Sequence, residues 1–433
     1  MRIAVILVNM FEGRHEDAMQ PILFAILDAL SPGHTLHFYD ERIRPLPEGI
    51  DADLFALSVD TFSAARAYRL ADILRAQGKT VVLGGIHPTS VPDEAQAHAD
   101  AVIVGEAEDT WPELLADAEQ GCLQKRYVSE QPPLVSFDPG HPALQKGYLP
   151  LGIMETSRGC PHTCDFCSVK VLYPGRVRRK PLAMIETEIA RSPHRLLFFV
   201  DDNLYSDRAY FLALLQILKN HKKRWAAQVS VNITGDASVL DAAKDAGCVL
   251  LLMGFESLHK DALQPMGKMQ NLQTDLAQAA AAVHQKGMLL YATFVFGYDT
   301  DTAQRVREVE QFANHLGIAV VNFNPLQPMP GTPLYKRLQK KERLQETAWW
   351  LDSRYRYGQM AFEPKEVSGR VLSEEIAGAR RRFYGRRNTL RRWLRNPAAK
   401  SPVNTGLHFL LSHVSRKEIR RKEGRLLHAN HTD

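Results

Sequence analysis

Short apolar runs recur along the first quarter of the chain, separated by stretches with helical spacing. Ile3–Val8, Thr35–Tyr39, Leu54–Val59, Thr80–Gly84 and Ala101–Val104 read as strands, and Ala64–Gln77 and Asp93–His98 as helices. Apolar strands alternating with helices predict an α/β, doubly wound (Rossmann-like) parallel sheet over residues 1–128, which takes ligands at the carboxyl ends of its strands. Those ends read Ser58-Val59-Asp60-Thr61, Gly84-Gly85-Ile86-His87-Pro88 and Gly105-Glu106-Ala107-Glu108. Paired glycines let backbone come close to a bulky ligand. Residues 129–150, polar and rich in proline (Pro132-Pro133, Pro139-Gly140, Pro142), read as a linker.

The alternation resumes over residues 151–334. Strands are predicted at Gly152–Thr156, Leu196–Val200, Ala226–Val231, Val249–Gly254, Leu289–Phe296 and Val320–Pro325, with helices such as Leu182–Ala190, Ala209–His221, Ala237–Ala246 and Leu272–Lys286 between them. Six strand–helix units make a partial (β/α)6 TIM barrel, whose active site lies at the carboxyl ends of its strands. From 335 to 433 the pattern turns helical and basic.

Composition narrows the class. With 433 residues, 45% apolar and 24% charged, the chain is an ordinary globular protein of two or three domains. Five cysteines, three of them bunched, are no disulfide framework and lead us to expect a reducing, cytoplasmic setting. The apolar start reads as a buried strand, and no window approaches eighteen apolar residues, so no membrane span is expected. The net charge of +5 is uneven, with eight arginines between Arg380 and Arg395 among Phe383, Tyr384, Leu390 and Trp393, and a second basic run over Arg416–Arg425. That region reads as a solvated face, a peripheral membrane contact, or a nucleic-acid surface. There is no phosphate loop, His-Glu-x-x-His or nucleophile elbow to suggest ATP-driven, zinc-hydrolase or serine-hydrolase chemistry.

The chemistry concentrates in Glu-Thr-Ser-Arg-Gly-Cys160-Pro-His-Thr-Cys164-Asp-Phe-Cys167. Three thiolates are one short of the four that a four-iron cluster takes, which leaves one iron open. Zinc is the competing reading, but a structural zinc site wants four closed ligands in paired units. The Cys-x3-Cys-x2-Cys spacing, with Phe166 before the last cysteine, is the signature of radical S-adenosylmethionine (SAM) enzymes, and the Gly-Gly-x-His-Pro and Val-Gly-Glu-x-Glu stretches resemble the cobalamin-binding domain that precedes many of them.

The resemblance, over residues 1 to about 335, implies metal ligation by Cys160, Cys164 and Cys167, with SAM chelating the open iron of a 4Fe–4S cluster and being cleaved to a 5′-deoxyadenosyl radical. It implies SAM contacts at Phe166, Asp201, Asp202, Asn203, Gln228, Ser230, Glu256, Ser257, Phe296 and Gly297. It implies cobalamin contacts at Ser58, Thr61, Gly84, Gly85, His87, Gly105 and Glu106. The Asp-x-His-x-x-Gly motif whose histidine ligates cobalt is absent, so His87 is left as a candidate ligand. The implied reaction is methyl transfer to an unactivated carbon of a small molecule or lipid, with a flavodoxin or ferredoxin as electron donor. The alternatives are ring closure or oxidation on the same cofactors, and a non-catalytic metal-binding electron-transfer module. The methylthiolating RNA-modifying relatives have a different first domain with its own cysteines, which this chain lacks, so nucleic acid is not the expected partner.

Overall fold

The computed structural model describes residues 1–11, 13–175 and 177–427. Two parallel six-stranded sheets organise it, as the alternation of strands and helices leads one to expect.

The first sheet holds β1 (Arg2–Leu7), β2 (Thr35–Asp40), β3 (Leu54–Ser58), β4 (Thr80–Gly84), β5 (Ala101–Val104) and β6 (Arg126–Val128), in the order β2-β1-β3-β4-β5-β6. Order reverses at β1, the doubly wound arrangement. Helix α1 (Ile22–Ala29) and helix α3 (Ala107–Gln120) pack on one face, burying Phe24 and Trp111 against Val5, Ala56 and Val82. Helix α2 (Ala64–Ala76) covers the other face through Ala64, Ala67, Tyr68 and Ala71. Strands covered on both sides must be apolar throughout, which is why these runs read as continuous and not as alternating.

The second sheet runs β7-β10-β11-β12-β13-β14, each strand beside its successor, as in a barrel that does not close. Its strands are β7 (Gly152–Met154), β10 (Leu196–Phe199), β11 (Arg224–Val229), β12 (Cys248–Glu256), β13 (Leu289–Phe296) and β14 (Val320–Pro325). A short antiparallel ribbon, β8 (Ser157–Arg158) with β9 (Arg178–Arg179), stands at the mouth. Helices α4 (Leu182–Arg191), α5 (Arg208–Asn220), α6 (Ala237–Asp245), α7 (Leu276–Gln285) and α8 (Ala303–His315) connect the strands. The helix predicted over Leu272–Lys286 is interrupted: Asp275 caps α7, its carboxylate accepting from Ala277 N and Gln278 N at 2.9 and 3.1 Å.

Helix α9 (Pro333–Lys340) follows β14, and three basic helices end the described chain: α10 (Gly369–Phe383), α11 (Arg386–Arg395) and α12 (Pro402–Lys422). The stretch from 129 to 150 is packed down, with Leu134, Phe137 and Leu144 buried and Ser136 bonded to Glu188 of α4.

Candidate functional site

The loop leaving β7 carries the three cysteines at the barrel mouth. Cys164 is buried, and Cys160 and Cys167 are half-buried. Burial pushes all three thiols up, Cys164 to about 11, with Cys167 and Cys160 adding to the rise at Cys164 and Cys160 to that at Cys167. Three thiols in one loop are one short of the closed four-ligand set of a structural zinc site and fit an iron–sulfur cluster with one open iron.

Asp165 anchors this loop. It accepts from Arg337 of α9 at 2.6 Å and from the Tyr298 hydroxyl, while its own backbone accepts from Leu334 N at 2.9 Å and donates to Met266 O at 3.1 Å. Gly267, at φ +73°, passes so close that an added Cβ would stand 3.0 Å from Thr163 O. His162 Nε2 lies 2.9 Å from Ser230 Oγ.

The strand ends sort the expected SAM contacts into two groups. Asp202 stays half-exposed beside the cysteines and accepts from Gly159 N at 3.0 Å; Gln228 is exposed and donates to Asp202 O at 3.0 Å. Ser230 and Phe166 also border this space, Phe166 against the barrel core.

The side chains of Asp201, Asn203, Ser257 and Phe296 are engaged within the protein. Asp201 is buried and accepts from Thr156 N, Thr156 Oγ1 and Ser157 Oγ, so it fixes the loop and does not face the mouth. Asn203 Oδ1 accepts from Ser230 N at 2.9 Å, Ser257 Oγ accepts from His259 N at 3.1 Å, and Phe296 stacks on Phe323 in the core. Gly297 is needed for packing: at φ +137°, a Cβ would meet Met360 Cε at 2.4 Å.

Glu256, at φ +63°, pairs with Lys268 at 2.9 Å over Gly254, where any Cβ would strike its carboxylate. Burial alone would lower Lys268, yet Glu256 and the facing Cys164 hold it above the ordinary lysine range. Lys268, a buried cation at the cysteines, has no sequence signal of its own.

The ends of β3, β4 and β5 open on a cavity of about 270 Å³ lined by Ser58, Gly84, Gly85, Gly105 and Glu106, floored by Val5, Ile26, Ala56, Val82 and Ile103, and closed by Leu172 and Tyr173 of the barrel. Gly85, at φ +109°, approaches Val59 so closely that a Cβ would stand 2.7 Å from its carbonyl oxygen. This apolar slot, walled by bare backbone, fits a flat, bulky cofactor fragment. His87 and Thr61 are not part of this lining: His87 has no exposed surface, and its nitrogens face Thr61 Oγ1 at 3.4 Å and Glu94 at 3.1 Å.

Glu106 lines the slot but is engaged across the domains. It pairs with Arg158 at 2.7 Å and with Arg178, while Arg158 also reaches Glu108 at 2.6 Å and Glu155 at 2.8 Å. Arg158, two residues before Cys160, thus ties the cysteine loop to the slot; a cation in the run leading to the cysteines, set against the Gly-Glu-x-Glu carboxylates, was its only sequence trace.

Comparison with known proteins agrees with this geometry. Residues 154–313 match the radical SAM superfamily and residues 31–115 the B12 binding domain. The chain is 31% identical over 363 residues to bacteriochlorophyllide d C-12(1)-methyltransferase of Chlorobaculum tepidum, covering 80% of this chain and 78% of that one. It is 27% identical over 361 residues to the same organism's bacteriochlorophyllide d C-8(2)-methyltransferase, covering 77% and 80%. The radical S-adenosylmethionine methyltransferase TsrM of Kitasatospora setae, solved with tryptophan substrate and a SAM analog, shares the fold at TM-score 0.71 and 16% identity over 97% of this chain and 98% of that one. The chain belongs to the cobalamin-binding radical SAM enzymes, whose cofactors are a 4Fe–4S cluster, SAM and cobalamin.

Proposed function

We propose that this enzyme methylates an unactivated carbon of a small molecule or lipid. One observation carries the reading: three thiols in one loop stand at the barrel mouth, joined through Arg158 to a glycine-walled slot on the first domain. Residues 1–128 would form the cobalamin domain, 129–150 the connection, 151–334 the SAM barrel and 335–433 its closure. When bound, the cofactors would supply an electron, a hydrogen-abstracting 5′-deoxyadenosyl radical and a methyl group.

The chain's own residues supply the placement. Cys160, Cys164 and Cys167 would hold the cluster. Asp202 and Gln228 offer oxygens to an ammonium group, and the Glu256–Lys268 pair would face the charged end of SAM. Ser58, Gly84, Gly85 and Gly105 would hold cobalamin along bare backbone. Substrate would lie at the barrel mouth, between the cysteine loop and the glycine-walled slot; a second cavity of about 430 Å³, lined by Leu196, Phe198, Leu250 and Leu252 together with Asp17, Arg380, Glu418 and Lys422 and closed by Leu407 and Leu411 of α12, lies toward the opposite ends of the strands. An external electron donor of the flavodoxin or ferredoxin kind belongs to the same reading.

The test uses oxygen-free, reconstituted full-length protein. SAM-dependent 5′-deoxyadenosine should form, and Cys160→Ala, Cys164→Ala or Cys167→Ala should abolish it; full activity in any of these variants overturns the site. Given extract from cells lacking the gene and SAM with a deuterated methyl group, the product should carry the label. An unlabelled, ring-closed or oxidised product would instead favour the cyclase reading.

A further inference from the structure

The carboxyl-terminal helices carry charge without a counterpart. From Ile376 to Lys417 there are nine arginines and two lysines, and no aspartate or glutamate. Some are engaged: Arg380 pairs with Glu423, Arg382 with Glu310 and Glu375, Lys417 with Glu16, and Arg392 is buried over Phe383. Arg381, Arg386, Arg387, Arg391 and Arg420 have no ion pair among the described residues.

Helices α11 and α12 pack antiparallel, with Trp393 and Phe409 rings 5.9 Å apart and His408 Nε2 3.0 Å from Thr389 O. At one end of their seam is a cavity of about 440 Å³ lined by Arg381, Arg386, His413, Arg416, Lys417 and Arg420, with no acidic wall. It opens at the first turn of α11, where Gly385 supplies no side-chain cap, so its amide groups add to the positive field. Along the same seam Leu390, Leu394, Phe409 and Leu410 are 49, 59, 39 and 46% exposed. Helical spacing sets Arg386, Leu390 and Leu394 in one stripe and Phe409, His413 and Arg416 in the next.

Exposed aliphatic residues ringed by arginines make an interfacial surface. A nucleic acid would use the arginines but gain nothing from bare leucines. We propose that this face docks on an anionic bilayer, with Leu390, Leu394, Phe409 and Leu410 entering the headgroup boundary and the arginine cavity holding a lipid phosphate. The opposite side of α12 lines the barrel cavity with Leu407 and Leu411, so one helix separates bilayer from barrel. The proposal stands on surface residues alone and survives if the methylation reading fails.

Full-length protein is sedimented with phosphatidylcholine vesicles, with and without phosphatidylglycerol. It should partition onto the anionic vesicles only, and less so as salt rises. Arg386→Gln and Arg420→Gln should each weaken binding about fivefold, the equivalent of ~1 kcal/mol per surface arginine. Leu390→Ser with Leu394→Ser should weaken it at a salt concentration where charge is screened. Equal binding to neutral vesicles, no loss in either class of variant, tighter binding of RNA than of vesicles, or capture of inorganic phosphate without vesicle binding would each overturn the proposal. All four positions are exposed, and unchanged helical circular dichroism separates lost docking from lost fold.

Discussion

Arg392 has no accessible surface, and its guanidinium sits 3.6 Å from the centre of the Phe383 ring with no carboxylate beside it. It donates to Phe383 O and, at 3.3 Å, to Asn314 Oδ1, while Nε and Nη2 have no partner. Burial lowers its pKa to about 10. A base whose folded pKa lies below the unfolded 12.5 costs stability wherever it is charged in both states, and the cost fades only as pH climbs from about 10 to 12.5. Arg392→Met, which keeps the volume and drops the charge, should therefore leave stability at pH 7 unchanged or raise it by about 1–4 kcal/mol in denaturant unfolding. A loss above ~2 kcal/mol, the scale of a desolvated cation–ring contact, would mean the ring contact dominates. At this scale the three cysteines were legible because their spacing is local. Asp201, Asp202 and Asn203 were not separable, since a strand end turns alternate residues inward and only the packed barrel shows that Asp202 is the one left facing the cysteines.

Helix α9 straps the cysteine loop. Thr332 Oγ1 accepts from Tyr335 N at 3.2 Å and Pro333 occupies the first helical position, so the run Pro330-Gly331-Thr332-Pro333 is a helix start. From that fixed end Leu334 N and Arg337 reach Asp165 between the second and third cysteines. Thr332→Ala should cost about 1 kcal/mol of stability. Arg337→Leu should leave the helices intact yet release iron several-fold faster to a chelator, because the loop loses a charge-assisted bond worth ~1.5 kcal/mol or more. Equal iron retention in Arg337→Leu and the parent would show that the strap does not hold the loop. The regular strands and helices could be read from period alone. The strap could not, because its donor lies 172 residues from its acceptor.

Over the whole molecule, the order of the two sheets was legible and the joint between them was not. Sequence shows Glu106 as one more polar strand end. Folding sets it with Glu108 and Glu155 around the Arg158 guanidinium, and Arg178 pairs with Glu106 as well. Burial alone would lower Arg158, and the carboxylates of Glu155 and Glu108 hold it well above the ordinary arginine range. Removing it strands Glu108 and Glu155 and leaves Glu106 to Arg178 alone, so Arg158→Ala should cost about 3–5 kcal/mol at pH 7. Calorimetry at pH 7 checks this, and a deficit no larger than the ~1 kcal/mol of an exposed ion pair would show that the cluster does not hold the two sheets together. Because the same arginine joins the cysteine loop to the glycine slot, Arg158→Ala combined with Glu108→Gln should recover part of the stability. It should still bind cobalamin more weakly than the parent, since the two walls of the slot are no longer held to each other.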